Sequence, residues 1–239
     1  MPLPKIATPY YDLELPSSGE KVEYRPFLVK EEKLLVLAME TQDQKQITKA
    51  IKEVIKSCVR GSIKVETLPT FDIEYLFLNI RGKSVGEEIE LNVVAPDDGE
   101  TEVSVVINID DINVIKDENH KRDIDLGEGL VMRLKYPSLE QFIEDNFDMS
   151  EDSSNVEKTF DLIATCVDTI YSADEAWTAA DVTKKELNAF LDQLNTKQFQ
   201  EIESFFETMP KLQHTVNIKN PKTKKKSEVV LEGLASFFA

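Results

Sequence analysis

The chain has 239 residues, of which 41% are hydrophobic, and a formal net charge of −17 at pH 7. This length and apolar content suffice for one large core or two smaller ones. The acidic charge argues against a general nucleic-acid-binding protein, because attraction to phosphate requires a positive surface. The apolar runs are far shorter than the ~20 residues that span a bilayer, and the first residues do not resemble a signal peptide, so we expect a cytoplasmic protein without membrane contact.

The first 18 residues contain four prolines and show no helical period. This composition predicts an extended arm over residues 1–18. The apolar side chains of the arm, Tyr10 and Tyr11 among them, need a surface to lie on, either that of the chain itself or that of a partner. We therefore expect the arm to be mobile in the isolated protein and to become ordered on a partner.

Residues 19–86 are predicted to form an N-terminal helical region. The segments 30–40 and 43–59 carry apolar residues at helical spacing, and Gly61 is expected to end the second helix. In the first segment the periodic apolar residues are Leu34, Leu37 and Ala38. These side chains are expected to face the core.

The segment 68–87 predicts a third helix, with Thr70 as its N-cap and Gly82 or Gly86 at its end. Its apolar residues are Phe71, Ile73, Tyr75, Leu76, Phe77, Leu78 and Ile80. They cannot share one stripe of roughly 100°, so the helix is expected to be buried on more than one side. One side would then hold the fold and another would contact a partner, with Phe71, Tyr75 and Phe77 as candidate contacts.

The apolar period changes from helical to alternating in residues 87–137, which predicts an antiparallel β region. Residues 89–93 and 103–109 alternate around the turn 96–99, as expected of a hairpin. Further strands are expected at 114–115, 124–126 and 130–134.

Residues 138–239 are predicted to form a C-terminal helical region that a second hairpin closes. The predicted helices are 139–147 after Ser138, 156–171, 184–194 capped by Thr183, and 197–208 capped by Thr196. The hairpin strands are expected at 213–219 and 228–231, before an apolar segment at 234–238. The fold class is therefore α+β: N-terminal helices, a central antiparallel sheet, and C-terminal helices with a terminal hairpin.

The tips of the two predicted hairpins repeat one pattern, Ala95-Pro96-Asp97-Asp98 and Asn220-Pro221-Lys222-Thr223. In zinc ribbons, two Cys-Pro-x-Cys tips build one tetrahedral site. Here the four cysteine positions hold Ala95, Asp98, Asn220 and Thr223, which supply no thiolate. We expect no metal and two ordinary β-turns, with a ribbon that has lost its metal as the alternative.

Catalytic chemistry is not indicated by the sequence. His120 and His214 lie outside any motif, and Cys58 and Cys166 have apolar helical neighbours, which favours buried, reduced thiols. Phosphate-binding and calcium-binding loops are absent from the sequence. We expect no enzyme activity, no cofactor and no metal.

Several aromatic residues are candidates either for the core or for a partner surface. Trp177, the only tryptophan, is predicted to pack on the helical core, with an exposed anchor as the alternative. In each of the pairs Phe205-Phe206 and Phe237-Phe238, the two neighbouring rings are not expected to face the same core. One ring of each pair is therefore expected to contact another chain, and Phe205 and Phe237 are added to the candidate partner contacts.

The segment 68–87 contains, in order, Leu68-Pro69, Asp72 beside an aromatic residue, Arg81, and a Ser-x-Gly-Glu block at 84–87. Together with Tyr24-Arg25-Pro26-Phe27 and Phe205-Phe206-Glu207-Thr208-Met209-Pro210, this block resembles the T4-type phage baseplate hub assembly protein family. The resemblance extends over most of the chain and rests on packing motifs.

The resemblance implies a non-enzymatic tail protein of a contractile-tailed phage, which acts in assembly of the central baseplate hub as a chaperone or a minor component. Its partners would be other hub and tail proteins, in the host cytoplasm during assembly and in the tail baseplate of the virion. The alternative function is that of a degenerate zinc-ribbon regulator that binds nucleic acid through the basic residues Lys222–Lys226.

Overall fold

The structure is a computed structural model that describes residues 6–41, 43–61, 63–138 and 155–237. The helices of this part are α1 Val29–Glu40, α2 Gln44–Cys58, α3 Thr70–Val85, α4 Asn155–Cys166, α5 Lys184–Leu191 and α6 Thr196–Thr208. The fold class is α+β, as predicted. The predicted helix 139–147 lies outside the described residues.

The strands of the described residues pair only with antiparallel neighbours. They are β1 Tyr11–Glu14, β2 Lys21–Tyr24, β3 Val59–Arg60, β4 Glu88–Val94, β5 Glu102–Asn108, β6 Asn113–Ile115, β7 Asp123–Gly127, β8 Leu130–Leu134, β9 Val167–Tyr171, β10 Ala176–Thr178, β11 Lys211–Lys219 and β12 Lys226–Glu232. Both predicted hairpins, β4–β5 and β11–β12, are confirmed.

The chain forms two compact units, one of Met1–Ile115 with Lys211–Ala239 and one of Lys116–Pro210. The terminal hairpin therefore belongs by its contacts to the unit of the N-terminal residues. The link is β11, which pairs with β6 of that unit in the register Leu212↔Val114. The division into four regions along the sequence stays a prediction.

Helix α3 is the central helix of the first unit, where it contacts α2, β6 and β11. The prediction that it is buried on more than one side is confirmed. Its buried residues are Phe71, Asp72, Ile73, Leu76, Phe77, Leu78, Ile80 and Gly82. The predicted N-cap is wrong by one residue, because Pro69 holds that position and Thr70 is the first helical residue. The helix ends at Val85, and its C-cap is Gly86, whose φ of 130° favours glycine.

The described part of the N-terminal arm packs on its own unit. β1 pairs with β2, and Leu15 is buried. The backbone N–H of Ser17 donates to Asp72 Oδ1 at 3.0 Å, and the Ser17 hydroxyl donates to the other carboxylate oxygen. The expectation that the arm orders only on a partner is therefore wrong for residues 11–17, because the first turn of α3 binds it.

The second unit is built on the sheet β10-β9-β8-β7. Its core residues include Met132, Leu134, Ile163, Leu191, Ile202 and Phe205. The predicted helix 156–171 is corrected, since α4 ends at Cys166 and the next five residues form β9. Three of these five residues are β-branched, and the strand pairs with β8 on one side and β10 on the other, which outweighs continuation of the helical period.

The capping predictions for the next two helices had different outcomes. Thr183 caps α5, as predicted, and also forms a capping box with Glu186. The helix ends at Leu191, three residues before the predicted end. Asn195, not Thr196, caps α6 by accepting the backbone N–H of Gln198. Among the described residues, no helix has the length and apolar character needed to cross a membrane.

Candidate interaction surface

Helix α1 is fixed to its unit through a buried carboxylate. Glu31 is 4% exposed and forms ion pairs with Arg25 at 2.9 Å and with Lys30 at 3.1 Å. It also accepts the backbone N–H of Leu28 at 2.8 Å. Burial raises the pKa of Glu31, but the hydrogen bonds that the carboxylate accepts, led by the one from Arg25, together outweigh burial, so the pKa is lowered and the carboxylate stays charged.

The opposite side of α1 is exposed and carries several large apolar residues among charged ones. Val29 is 67% exposed, Val36 50%, Leu37 62% and Met39 53%. We call these four residues the outer α1 face. Of the fourteen exposed large apolar side chains in the described residues, six lie between Leu28 and Met39. Single exposed apolar residues are common on protein surfaces, whereas a contiguous cluster is typical of an interaction site.

The sequence pattern assigned the wrong side of α1 to the core. Leu34 and Leu37 were expected to face inward with Ala38, but of these three residues only Ala38 is buried. A usable signal was present, because Glu31 and Ala38 are seven residues apart and share one face, and Arg25 is available to pair with Glu31. A buried ion pair can thus reverse the orientation that apolar spacing predicts.

The four phenylalanines among the predicted partner contacts are enclosed by the chain itself. Phe71, Phe77, Phe205 and Phe237 are all buried. Phe205 stacks on Tyr136 and meets its neighbour Phe206 edge to face, so both residues of this pair serve one core. Phe238 lies outside the described residues.

The three tyrosines among the predicted contacts are more accessible. Tyr10 is exposed, and the guanidinium of Arg60 lies 5.3 Å from its ring centre. Tyr11 is half-buried, with its ring 5.8 Å from that of Tyr24, and Tyr75 is half-buried on α3. Contact of these tyrosines with a partner stays a proposal.

Trp177 lies at the border of the second unit's core and not inside it. It is 39% exposed on the outermost strand, β10, of its sheet. It borders an apolar groove of about 370 Å³ together with Leu130, Ile170, Val182 and Phe190. This position is compatible with both predicted roles, a lid over the core and an exposed aromatic anchor.

The histidines and cysteines occupy structural positions. The His120 ring stacks on Tyr136, and its Nδ1 lies 2.9 Å from the Thr208 hydroxyl. Burial lowers the pKa of His120, which favours the neutral ring. Both thiols are buried, and burial raises the pKa of Cys58 to about 11. A thiol with such a pKa is a poor nucleophile at neutral pH.

We expect both thiols to react slowly with Ellman's reagent in the native protein. At pH 8 a pKa near 11 leaves Cys58 with a thiolate fraction about two orders of magnitude below that of an unfolded cysteine. The measurement is the rate of labelling with and without urea. Labelling of either thiol within seconds under native conditions would contradict its structural role.

The two hairpin tips lie against each other in the first unit. The side chains of Asn220 and Thr223 in one tip donate hydrogen bonds to the carboxylates of Asp97 and Asp98 in the other. The tip with the basic residues Lys222–Lys226 therefore lies next to two carboxylates of the other tip. Within the described ranges, no three or more His, Cys, Asp or Glu residues are arranged to hold a metal ion.

Comparison with known proteins gives one result. The family model described as T4 bacteriophage base plate protein matches residues 8–239. The match includes both contact-defined units almost entirely. No curated protein and no solved structure matches the chain significantly.

Proposed function

The chain belongs to the T4 bacteriophage base plate protein family, and we propose that it acts in assembly of the central hub of the baseplate by binding other tail proteins, without catalysis. Membership places it among phage tail components. The specific role in the hub is supported by the sequence motifs of residues 24–27, 68–87 and 205–210.

The outer α1 face is the observation that carries this proposal. Val29 and Val36 are seven residues apart and lie on one line along the helix, with Leu37 and Met39 beside them. Exposed apolar residues in such number favour self-association unless a partner covers them. Exposed apolar side chains on a helix are suited to dock into a groove or against a second helix of a partner.

The net charge fits the same role. A chain with a formal charge of −17 repels further copies of itself and other acidic proteins. Repulsion of this kind reduces unwanted contacts before the intended partner binds through apolar surface. The proposed mechanism is thus apolar recognition with electrostatic exclusion of wrong partners.

Two forms of this function, an assembly chaperone and a minor component of the hub, are separated by one measurement. Mass spectrometry of purified phage particles would detect a component in a fixed ratio to the other baseplate proteins. A chaperone would be absent from particles, yet its loss would stop hub assembly.

We expect the double variant V36S/L37S to bind the hub proteins of its phage at least ~10-fold more weakly than wild type, since interface side chains of this kind contribute about 1–2 kcal/mol each. Both side chains are mostly exposed, so the melting temperature should change little. Biolayer interferometry with the purified hub proteins measures the first effect, and differential scanning fluorimetry the second.

The matched control is V106S/V230S, which removes two other exposed valines of the same unit, one each on β5 and β12. This control should bind like wild type. Equal affinity of V36S/L37S and wild type, with both proteins folded, would exclude the outer α1 face as the binding surface.

A further inference from the structure

The two hairpin tips share one backbone conformation, although about 125 residues separate them along the chain. In the tip 95–99, the N–H of Gly99 donates to the carbonyl of Ala95 at 2.9 Å. In the tip 220–224, the N–H of Lys224 donates to the carbonyl of Asn220, also at 2.9 Å. Proline holds the second position of both tips.

The fifth residue of each tip has a positive φ, 68° at Gly99 and 65° at Lys224. A lysine rarely adopts this conformation, and Lys224 and Glu128 are the two described residues other than glycine that do. The second tip therefore keeps the shape of the first against the local preference of its sequence. Pairing with the first tip supplies a reason for this strain.

A network of side-chain hydrogen bonds joins the tips. The Asn220 amide nitrogen donates to Asp97 Oδ1 and to Asp98 Oδ2, both at 2.9 Å, and the Thr223 hydroxyl donates to Asp97. Asn220 is only 1% exposed, and Ala95 is fully buried. We call this network the tip clasp.

Within each tip, backbone N–H groups point at a side-chain oxygen. Asn220 Oδ1 accepts the N–H groups of Lys222 at 2.8 Å and Thr223 at 3.2 Å. Asp98 Oδ1 accepts those of Glu100 at 3.1 Å and Thr101 at 3.0 Å. Converging N–H groups of this kind also stabilise an anionic ligand atom, such as a metal-bound thiolate.

A zinc ribbon takes two donors from each of two such tips, at the first and fourth positions. These positions are Ala95 and Asp98 in one tip and Asn220 and Thr223 in the other, which provide one carboxylate and no thiolate or imidazole. The donor set does not fit zinc, although the structure brings one such position of each tip, Asp98 and Asn220, into direct contact.

We infer that the tip pair is a zinc-ribbon site in which hydrogen bonds replace the metal, with Asn220 in the bridging role that the ion would have. The amide of Asn220 contacts two carboxylates of the opposite tip, as a central ion contacts donors from both tips. The clasp thereby ties the β4–β5 hairpin to the terminal hairpin without a bound metal.

The inference is tested by restoring the donors. The variant A95C/D98C/N220C/T223C is expected to bind one Co²⁺ per chain, with the visible absorption of tetrahedral cobalt thiolate, and to lose that signal when Zn²⁺ is added. Its melting temperature should rise with metal, since a ligand that binds only the folded state stabilises it. A chelator should leave the melting temperature of the wild-type protein unchanged.

The control is D97C/E100C/K222C/K225C, which has four cysteines with the same spacing but at neighbouring positions of the tips. We expect its cobalt affinity to be at least ~100-fold weaker, because its thiols lie outside the four ligand positions. A folded A95C/D98C/N220C/T223C protein that binds cobalt no better than this control would overturn the inference.

A second measurement tests the inference if the four-cysteine variant folds neither with nor without metal. It uses the single variants D97A and N220A and the double variant. If the clasp acts as one unit, the melting temperature of the double variant should be no lower than that of N220A alone. Additive losses would show independent turns and overturn the inference.

Discussion

Replacing Leu78 by alanine is expected to lower the free energy of unfolding by about 2–5 kcal/mol, and Leu76→Ala by a similar amount. Both side chains are fully buried. They are two residues apart on α3 and therefore point in nearly opposite directions around the helix. A helix packed on both sides cannot shift to fill either cavity, so each substitution should carry the cost of an empty space as well as of lost apolar burial.

Urea unfolding of the purified variants provides the measurement, with Val85→Ala as the control. Val85 is mostly exposed at the end of the same helix and should change stability by less than ~0.5 kcal/mol. If Leu76→Ala were costly and Leu78→Ala nearly neutral, one side of α3 would be free of packing. The proposed partner contact of α3 would then extend beyond Tyr75.

The second large effect is expected from Glu74→Gln, as a change in the pH dependence of stability. Burial raises the pKa of Glu74 to about 7, although the carboxylate accepts the N–H of Leu234 at 3.1 Å. Nearby Glu232 raises it further. The folded state therefore favours the protonated form of Glu74. The stabilisation that this form provides is complete below pH 4.5, the ordinary pKa of a glutamate, and is lost as the pH rises through 7, the pKa in the folded state.

Glutamine keeps a carbonyl oxygen for the Leu234 N–H and cannot ionise. The variant should therefore be more stable than wild type at pH 8, by up to about 3 kcal/mol, and the difference should vanish near pH 4. Urea titrations at both pH values test this expectation. Glu228→Gln, which makes the same substitution at an exposed position of β12, is the matched control. An identical profile for Glu74→Gln would mean that Glu74 is solvated in the folded protein.

Local sequence patterns predicted much of the fold, because regular spacing and turn residues act over short distances. The β4–β5 and β11–β12 hairpins and helices α2 and α3 follow from such patterns. The boundary between α4 and β9 did not, because the pairing of β9 with β8 and β10 depends on strands elsewhere in the chain. Tertiary contacts override the local period there.

The candidate surface was harder to predict than the fold. The orientation of α1 depends on Glu31 and its pairing with Arg25, and an apolar pattern carries no information about such a pair. The paired tips were recognised as a repeated motif, yet their contact through Asn220 requires knowledge of the tertiary structure. The pair Phe205-Phe206 was expected to place one ring on a partner surface, but one core accommodates both rings.

The return of the C-terminal hairpin to the N-terminal unit affects how the protein is made. Strand β6 must wait for β11, which leaves the ribosome only after the whole of Lys116–Pro210 has been synthesised. The later unit can thus begin to fold while the earlier one still lacks a sheet partner. A chain that stops before Lys211 would leave β6 unpaired and α3 without its contact to β11, so the first unit can be completed only after synthesis of the second.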